Sequence, residues 1–166
     1  MVEARWQVTT GQQDPATVER LLASLPHWFG IPASNAEYVE SARELPTYLA
    51  RLAARAEAAH ADPVGVLLAR RHFAEAAEIH LLAVGPSLHR HGVGRALVAA
   101  LEADLIADGC WLLQVKTRGP SKPDTGYELT RKFYLGMSFM PLEELDLWGP
   151  ENPCLIMVKD LARRTG

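Results

Sequence analysis

The segment Ile79–Leu97 reads IHLLAVGPSLHRHGVGRAL, and it is the most informative part of the chain. A β-rich run ends at Val84, a turn follows, and Gly92 and Gly94 open a long amphipathic helix. Glycine lets the backbone approach a ligand closely, and the first amides of a helix point at negative charge. The segment therefore predicts a cradle for an anion, although a tight turn of the chain would by itself also explain the glycines.

Two common phosphate-binding motifs do not match this cradle. A dinucleotide-binding fingerprint would need a third glycine where the chain has Leu97. A P-loop would need Gly-Lys followed by Ser or Thr, and this sequence occurs nowhere in the chain. The pattern favours a ligand that carries a diphosphate and is held without either of those folds.

Length and charge indicate one domain, residues 1–166, of a globular protein. The chain has 166 residues, of which 48% are apolar, and a domain usually contains about 100–200 residues. Its formal net charge of −3 argues against nucleic-acid binding, which normally uses a basic face. Between Ile79 and Leu101, however, there is no Asp or Glu, and Arg90 and Arg95 are the charged residues. Although the net charge of the chain is slightly negative, this segment is locally positive and is therefore expected to bind an anion.

Features of membrane and secreted proteins are missing from the sequence. The longest unbroken apolar run is Ala96–Leu101, whereas a helix needs about 20 apolar residues to cross a bilayer. No apolar stretch follows the first residues as it does in a secretory signal. Cys110 and Cys154 are too few for a disulfide framework and are expected as reduced, mostly buried thiols. We therefore expect a cytoplasmic protein without membrane contact.

The order of predicted elements indicates a mixed α/β sheet. Apolar runs and alternation predict strands over Ala4–Thr9, Thr47–Leu52, Val64–Phe73, Ala77–Val84, Trp111–Thr117, Met137–Leu147 and Cys154–Val158. Helical periodicity and capping residues predict helices over Pro15–Leu25, Ala33–Arg43, Val93–Asp108 and Leu129–Gly136. Asp14 is expected to cap the first helix, Ser34 or Asn35 the second, and Gly109 to end the third. Ala53–His60 is either a helical turn or a wide loop.

The glycine segment resembles the signature of the GCN5-related N-acetyltransferases, the GNAT superfamily. Members of this family have a strand, a short turn containing proline, and then Gln/Arg-x-x-Gly-x-Gly/Ala at the start of a helix. The run AVGPSLHRHGVG at Ala83–Gly94 is similar in order and spacing, with His89 where Gln or Arg is usual. A second and weaker match to the family retains Tyr134 and Phe139, while Tyr127 stands where the family has Asn. The C-terminal third also resembles an uncharacterised bacterial branch of the superfamily.

This resemblance implies a fold, an activity and a cofactor. The implied fold is a single mixed, mostly antiparallel sheet with splayed central strands, flanked by helices. The implied activity is transfer of an acetyl group from acetyl-CoA to an amine by direct attack in a ternary complex, with no metal. The residues implied to hold acetyl-CoA through their amides, backbone or side chains are Leu82, Ala83, Val84, His89, Arg90, His91, Gly92, Val93, Gly94, Arg95 and Tyr127.

Glu78 is the leading candidate for the base that takes the proton from the amine. It lies on the strand that leads into the glycine turn, and it resembles in register the catalytic glutamate of the histone-acetylating branch. Burial is expected to raise its pKa towards a useful range. Alternatively, Glu78 is a satisfied structural carboxylate, or the base is His80 on the same strand face or Glu75 in the preceding loop.

Tyr134 is the candidate acid, because the family's tyrosine at this place protonates the leaving thiolate of CoA. Its alternative role is that of an amphipathic core residue beside Phe133. Histidines 72, 80, 89 and 91 lack the spacing of a zinc site, so no metal is expected.

The acceptor is expected to be a small-molecule or peptide amine, and the chain could form a homodimer. Aromatic residues could line the acceptor site, or they could belong to the core: His27, Trp28, Phe29 and Tyr38. The acidic segment Pro141–Glu151 is either a solvated face or a feature that favours a cationic amine. Two other functions remain open, namely a non-catalytic module that binds acyl-CoA and a nucleotide-binding α/β protein.

Overall fold

A computed structural model of the chain describes residues 5–55 and 61–162. The strands are β1 (Trp6–Thr9), β2 (Thr47–Leu52), β3 (Gly65–Arg71), β4 (Ala76–Val84), β5 (Leu112–Arg118), β6 (Met140–Leu145) and β7 (Cys154–Asp160). The α-helices are α1 (Pro15–Ala23), α2 (Pro32–Ser41), α3 (Val93–Ala107) and α4 (Thr125–Gly136), and short 3₁₀ turns cover Ala53–Arg55 and Pro86–Leu88. No helix in the described part of the chain is long and apolar enough to cross a bilayer.

The strands form a seven-stranded sheet in the order β1-β2-β3-β4-β5-β7-β6. The pairs β1–β2, β2–β3, β5–β7 and β6–β7 are antiparallel, whereas β4 and β5 are parallel. The β4–β5 ladder runs from Ala76–Leu112 to Ile79–Val115 and stops there, although both strands continue. The predicted mixed, mostly antiparallel sheet flanked by helices is confirmed.

The chain divides into two compact units, of which the first comprises Met1–Arg70 and Leu81–Asp104. Asp14 caps α1 as predicted, because its carboxylate accepts from the amide and the hydroxyl of Thr17 at 2.9 and 2.7 Å. The apolar face of α1 packs on strand residues in one core cluster: Val18, Leu21, Leu22, Leu25, Ala42, Leu49, Val66, Leu68, Leu81 and Ala83. This core supports the end of β4.

The second unit comprises Arg71–His80 and Leu105–Gly166. Burial alternates along β5, so that Leu113, Val115 and Thr117 are buried while the residues between them are half-buried. Phe139 and Met157 are fully buried in the same unit. Gly109 has a φ of +75° just after α3, which agrees with its predicted place at the end of that helix.

Several element boundaries differ from the prediction. Helix α4 begins at Thr125 instead of Leu129, because the Asp124 carboxylate accepts from the Tyr127 amide at 3.0 Å and starts the helix one turn earlier. Strand β6 begins at Met140 instead of Met137, because Ser138 has a φ of +68° and interrupts extended backbone.

The start of α2 also differs from expectation, whereas the described part of the undecided segment Ala53–His60 matches one of its two alternatives. Helix α2 begins at Pro32 without a side-chain cap, and Asn35 instead donates to the Phe29 carbonyl at 2.8 Å. Ala53–Arg55 forms a 3₁₀ turn, which agrees with one of the two alternatives for that segment. The remainder of that segment, residues 56–60, and Ala4 of the first predicted strand lie outside the described residues.

Candidate active site

The glycine turn lies in the first unit, between the end of β4 and the start of α3. Arg90 has a φ of +64° and Gly92 a φ of +87°, so two left-handed residues alternate with others in the turn. Such alternation makes a concave backbone whose amides converge on an anion. The first amides of α3, beginning at Val93, have no acceptor within the helix and extend this concavity. The geometry fits the predicted anion cradle.

The charges around the turn also fit an anion. Arg90 and Arg95 are exposed, and neither forms an ion pair with an acidic residue among the described parts of the chain. Both guanidinium groups are thus available to a ligand as well as the amides. The absence of Asp and Glu from Ile79 to Leu101 leaves this charge uncompensated locally.

Side chains of the turn fix its backbone instead of pointing freely outward. A ring nitrogen of His89 lies 2.8 Å from the Val84 carbonyl, and Trp28 contacts the same ring edge-on at 5.3 Å. The His91 ring lies 2.8 Å from the His89 carbonyl. The Val93 side chain is buried, so the amide is the part of this residue that is available to a ligand. These residues of the predicted cofactor set therefore shape the cradle.

A tryptophan far away in sequence also holds the turn. Trp6 on β1 donates from Nε1 to the His91 carbonyl at 2.8 Å, across 85 positions of the chain. Gly65 is required nearby, because a Cβ at this position would lie 2.7 Å from a methyl group of Val93. Neither contact has a local sequence signal, since both depend on how strands are placed beside α3.

Before the turn, β4 carries the residues predicted to pair with the cofactor's arm. Ala83 is buried, whereas Leu82 and Val84 are half-buried. His80, the alternative base, is half-buried on the strand face that carries Glu78, two residues away.

Glu78 lies in the second unit at the centre of a polar cluster. Its Oε1 accepts from Lys116 at 3.0 Å, and its Oε2 accepts from Lys116 and Gln114, each at 3.1 Å. Nε2 of His72 lies 2.5 Å from the same Oε2. Strand register explains the cluster, because Glu78 pairs with Gln114 and Lys116 follows two residues later on the same face.

The pKa of Glu78 moves in the opposite direction to the one expected. Burial does raise this pKa, but hydrogen bonds from His72, Lys116 and Gln114, together with the charge of Lys116, outweigh burial and lower it. The expectation of a raised pKa was therefore wrong, because it counted desolvation without the partners that β5 supplies. At neutral pH Glu78 is an ionised carboxylate with both oxygens engaged.

Replacing Glu78 by Gln is expected to lower the free energy of unfolding at pH 7 by about 2 kcal/mol. The folded-state pKa lies below the usual value of a glutamate, so the carboxylate stabilises the fold at neutral pH, and this contribution is lost as pH falls through the folded-state pKa. Urea unfolding of wild type and Glu78→Gln from pH 7 to pH 3 should show the two stabilities converging.

Glu128→Gln is the control, because its exposed pair with Lys132 should contribute little at any pH. A difference between wild type and Glu78→Gln that grows towards acid pH would mean that the Glu78 pKa is raised.

Tyr134 is buried on α4 in the second unit. Its ring makes edge contacts with Phe133 at 5.1 Å and with Phe139 at 5.3 Å. The Phe139 amide donates to the Tyr134 carbonyl at 3.0 Å, which ties the end of α4 to the start of β6. Tyr127 is half-buried in the first turn of the same helix. This packing fits the core alternative and orients the Tyr134 side chain.

Two of the four acids in the acidic segment are bound to the loop between β5 and α4. Glu151 pairs with Lys122 at 3.3 Å, and Glu144 accepts from the Ser121 amide at 3.3 Å. The other two, Glu143 and Asp146, are exposed. Among the aromatic candidates for the acceptor site, the residues packed against the core of the first unit are Trp28, Phe29 and Tyr38.

His72 is the functional candidate that the sequence did not connect with Glu78. It follows β3, and its amide donates to the Ala76 carbonyl at 3.0 Å, which closes a tight hairpin. The hairpin register could have found this pair, since two strands joined by a short turn place diagonal neighbours on one face. No group of three or more His, Cys, Asp or Glu residues within 5–55 and 61–162 could hold a metal ion.

Comparison with known proteins identifies the family. The family model described as "Acetyltransferase (GNAT) family" matches residues 18–124. No curated protein matches the chain.

Solved structures show the same fold at low identity. A GNAT-family protein from Desulfovibrio desulfuricans is 20% identical, with a TM-score of 0.78 over 94% of this chain and 99% of that chain. The ribosomal-protein-S18-alanine N-acetyltransferase of Escherichia coli is 14% identical, with a TM-score of 0.73 over 96% of each chain. The yncA protein of Salmonella typhimurium, solved with its cofactor acetyl-CoA, is 12% identical, with a TM-score of 0.69 over 98% of each chain.

The cradle of the first unit, the seven-stranded sheet and the family model agree with the resemblance seen at Ala83–Gly94. The chain belongs to the acetyltransferase (GNAT) family and is an acyltransferase.

Proposed function

We propose that this protein transfers an acetyl group from acetyl-CoA to an amine, by direct attack of the amine in a ternary complex. The observation that carries the proposal is the turn in front of α3, with Arg90 and Gly92 in left-handed conformations. Arg90 and Arg95 in this turn have no acidic partner among the residues that the structure describes. A diphosphate is the ligand chemistry that this turn suits best. The structural neighbour solved with acetyl-CoA supports the choice of cofactor.

The residues proposed to hold acetyl-CoA are those of the turn and the strand before it. The amides of Arg90–Arg95 would hold the diphosphate, and the backbone of Leu82–Val84 would hold the pantetheine arm. Tyr127 would add a contact from the start of α4. When bound, acetyl-CoA supplies the activated acyl group, whose carbon forms a bond to the amine nitrogen while its bond to sulfur breaks.

Direct attack is favoured because neither cysteine is suited to a covalent intermediate. Cys110 and Cys154 are both buried, and Cys110 donates to the Glu75 carbonyl at 3.2 Å. Burial raises the pKa of the Cys154 thiol, and this effect outweighs the nearby charge of Lys116. A thiol reacts as the thiolate, so the raised pKa disfavours Cys154 as a nucleophile, and burial keeps both cysteines away from a substrate. The amine is then the nucleophile itself.

Two protons must move for the transfer to be complete. The amine must lose one, and we assign its uptake to the cluster around Glu78. The leaving thiolate must gain one, and we assign this role to the hydroxyl of Tyr134, whose ring is oriented by Phe133 and Phe139. The proton gained by the cluster and the one lost by the phenol balance, so both groups return to their starting state through solvent.

Tyr134→Phe is expected to lower kcat about 100-fold, because the thiolate then leaves without its proton donor. The KM for acetyl-CoA should stay within about twofold, since the ring that packs against Phe139 is retained. Steady-state thiol release at saturating amine measures both constants. Leu135→Ala, an exposed change on the same helix, is the control and should leave kcat unaltered. Full kcat in Tyr134→Phe would remove Tyr134 from the mechanism.

A thermal-shift and turnover experiment tests the function as a whole. We expect acetyl-CoA to raise Tm, and NAD and ATP to leave it unchanged. Thiol release is then measured with a polyamine, an aminoglycoside and a peptide with an N-terminal alanine, and initial-rate lines should intersect for a ternary complex. Stabilisation by acetyl-CoA without turnover on any amine would favour the non-catalytic module. No stabilisation by acetyl-CoA would overturn the proposal.

A further inference from the structure

We propose that His72 takes the proton from the amine, and that Glu78 is a positioning residue that holds the His72 imidazole. The inference rests on the proposed function and names the member of the Glu78 cluster that acts as base. It differs from the sequence prediction, in which Glu78 itself was the base and His80 or Glu75 the alternative.

The Glu78 carboxylate is poorly placed to accept a proton. Its side chain is 8% exposed, and its two oxygens accept four hydrogen bonds from Lys116, Gln114 and His72. Protonation would break the ion pair with Lys116 inside a buried site, which is costly because the ammonium would lose its partner. Glu78 therefore acts best as a fixed negative charge.

His72 has the properties that Glu78 lacks. Its side chain is 34% exposed, so solvent or an amine can reach it. The bond from Nε2 to Glu78 places the ring hydrogen on Nε2, because a carboxylate accepts and cannot donate. Nδ1 is then the bare acceptor nitrogen, and within the described residues the imidazole has no second hydrogen bond. A carboxylate that fixes the tautomer of a histidine base is a recurring arrangement in catalysis.

The other titratable and charged groups near His72 and Glu78 do not compete with His72 for the role of base. Lys116 on β5 bonds to Glu78 and not to His72. Cys154 on β7 stays a neutral thiol because burial raises its pKa. Beside His72 in the hairpin, Arg71 donates to the carbonyls of Phe73 and Ala74 and pairs with Asp108 at 3.7 Å. Among these groups, the imidazole is the one that presents a nitrogen with a lone pair not engaged in a hydrogen bond within the described residues.

The proton transfers balance in this scheme. A free amine nitrogen forms the bond to the acetyl carbon, and the bond from that carbon to sulfur breaks. The amine proton passes to Nδ1 of His72. The hydrogen on Nε2 stays on the ring and remains hydrogen-bonded to Glu78, whose negative charge stabilises the imidazolium. The Tyr134 hydroxyl gives its proton to the sulfur. Afterwards solvent takes the proton from His72 and returns one to Tyr134.

Kinetics of matched variants test the inference. His72→Gln is expected to lower kcat at least about 100-fold and to remove the acid-side inflection from the pH profile of kcat/KM. Glu78→Gln should lower kcat while keeping the inflection, because the base is still present. Added imidazole should restore part of the activity of His72→Ala. Phe73→Ala is the control in the same hairpin, since Phe73 is 73% exposed. This variant should change neither kcat nor kcat/KM.

A measurement without turnover tests the geometry directly. In the protein labelled with ¹⁵N-histidine, the signal that disappears in His72→Gln should show a protonated Nε2 and a bare Nδ1 at neutral pH. In Glu78→Gln the ring hydrogen should distribute over both nitrogens. A protonated Nδ1 in the wild-type protein would overturn the inference.

The outcomes separate this inference from the proposed function. If the wild-type protein releases no thiol with any amine, the proposed function fails and the base role fails with it. If the wild-type protein is active and His72→Gln keeps full kcat and its inflection, the assignment of His72 fails while the function stands. If Glu78→Gln removes the inflection instead, Glu78 itself is the base.

Discussion

Gly92→Trp is expected to raise the Kd for acetyl-CoA at least about 100-fold, which corresponds to about 2.7 kcal/mol of lost binding energy. Gly92 has a φ of +87°, a conformation that costs an L side chain about 1–2 kcal/mol. The indole would also stand on a turn whose amides are proposed to face the diphosphate. Isothermal titration with acetyl-CoA measures the change, and circular dichroism establishes that the variant is folded.

Two alanine variants separate backbone strain from loss of the cradle. Gly92→Ala and Gly109→Ala both force a side chain onto a residue with positive φ. A Cβ meets little at either position, with the Trp6 nitrogen at 3.8 Å from Gly92 and nothing within 4 Å of Gly109. Both should lose similar stability, whereas only the change at Gly92 should weaken acetyl-CoA binding. An unchanged Kd in folded Gly92→Trp would refute the cradle.

Phe139→Ala is expected to lower the free energy of unfolding by about 3–5 kcal/mol. The Phe139 side chain is 1% exposed, its ring contacts Tyr134 edge-on at 5.3 Å, and the Lys159 ammonium lies 5.9 Å from its centre. Removal would leave a cavity beside the proposed acid and release the ring that orients it. Urea unfolding measures the stability, and thiol release at a temperature where the variant is folded measures kcat.

Phe139→Leu and Phe73→Ala are the matched controls for this prediction. Leucine retains most of the buried volume, so Phe139→Leu should lose less stability than Phe139→Ala. Phe73 is exposed, and the same substitution there should change stability by less than about 0.5 kcal/mol. Similar losses at positions 73 and 139 would show that Phe139 is not a core residue.

Local features of the chain could be predicted because their causes are local. Asp14 before Pro15 caps α1 through its own carboxylate, and Gly109 adopts the positive φ that ends α3. The strand-turn-helix order around Gly92 likewise follows from neighbouring residues. The start of α4 was missed because the loop composition of residues 118–126 concealed the capping carboxylate of Asp124.

Contacts between distant residues could not be predicted in the same way. Trp6 bonds to the backbone of His91, and Lys116 bonds to Glu78, because strand pairing brings separated segments together. The sign of the Glu78 pKa shift depended on these partners, so burial alone predicted it wrongly. Predicting such contacts requires the register of the sheet.

Periodicity, capping and glycine backbone freedom act over a few residues, so the α/β elements and the turn before α3 could be inferred from the chain alone. The family could be inferred in the same way, from the resemblance at Ala83–Gly94. The partners of the Glu78 carboxylate, in contrast, depend on the tertiary fold. Pairing of β4 with β5 places Lys116 and Gln114 beside this carboxylate, and the hairpin after β3 brings His72 to its Oε2. Hydrogen bonds in this buried site outweigh desolvation and lower the pKa of Glu78, so the carboxylate is ionised at neutral pH beside the partly exposed imidazole of His72.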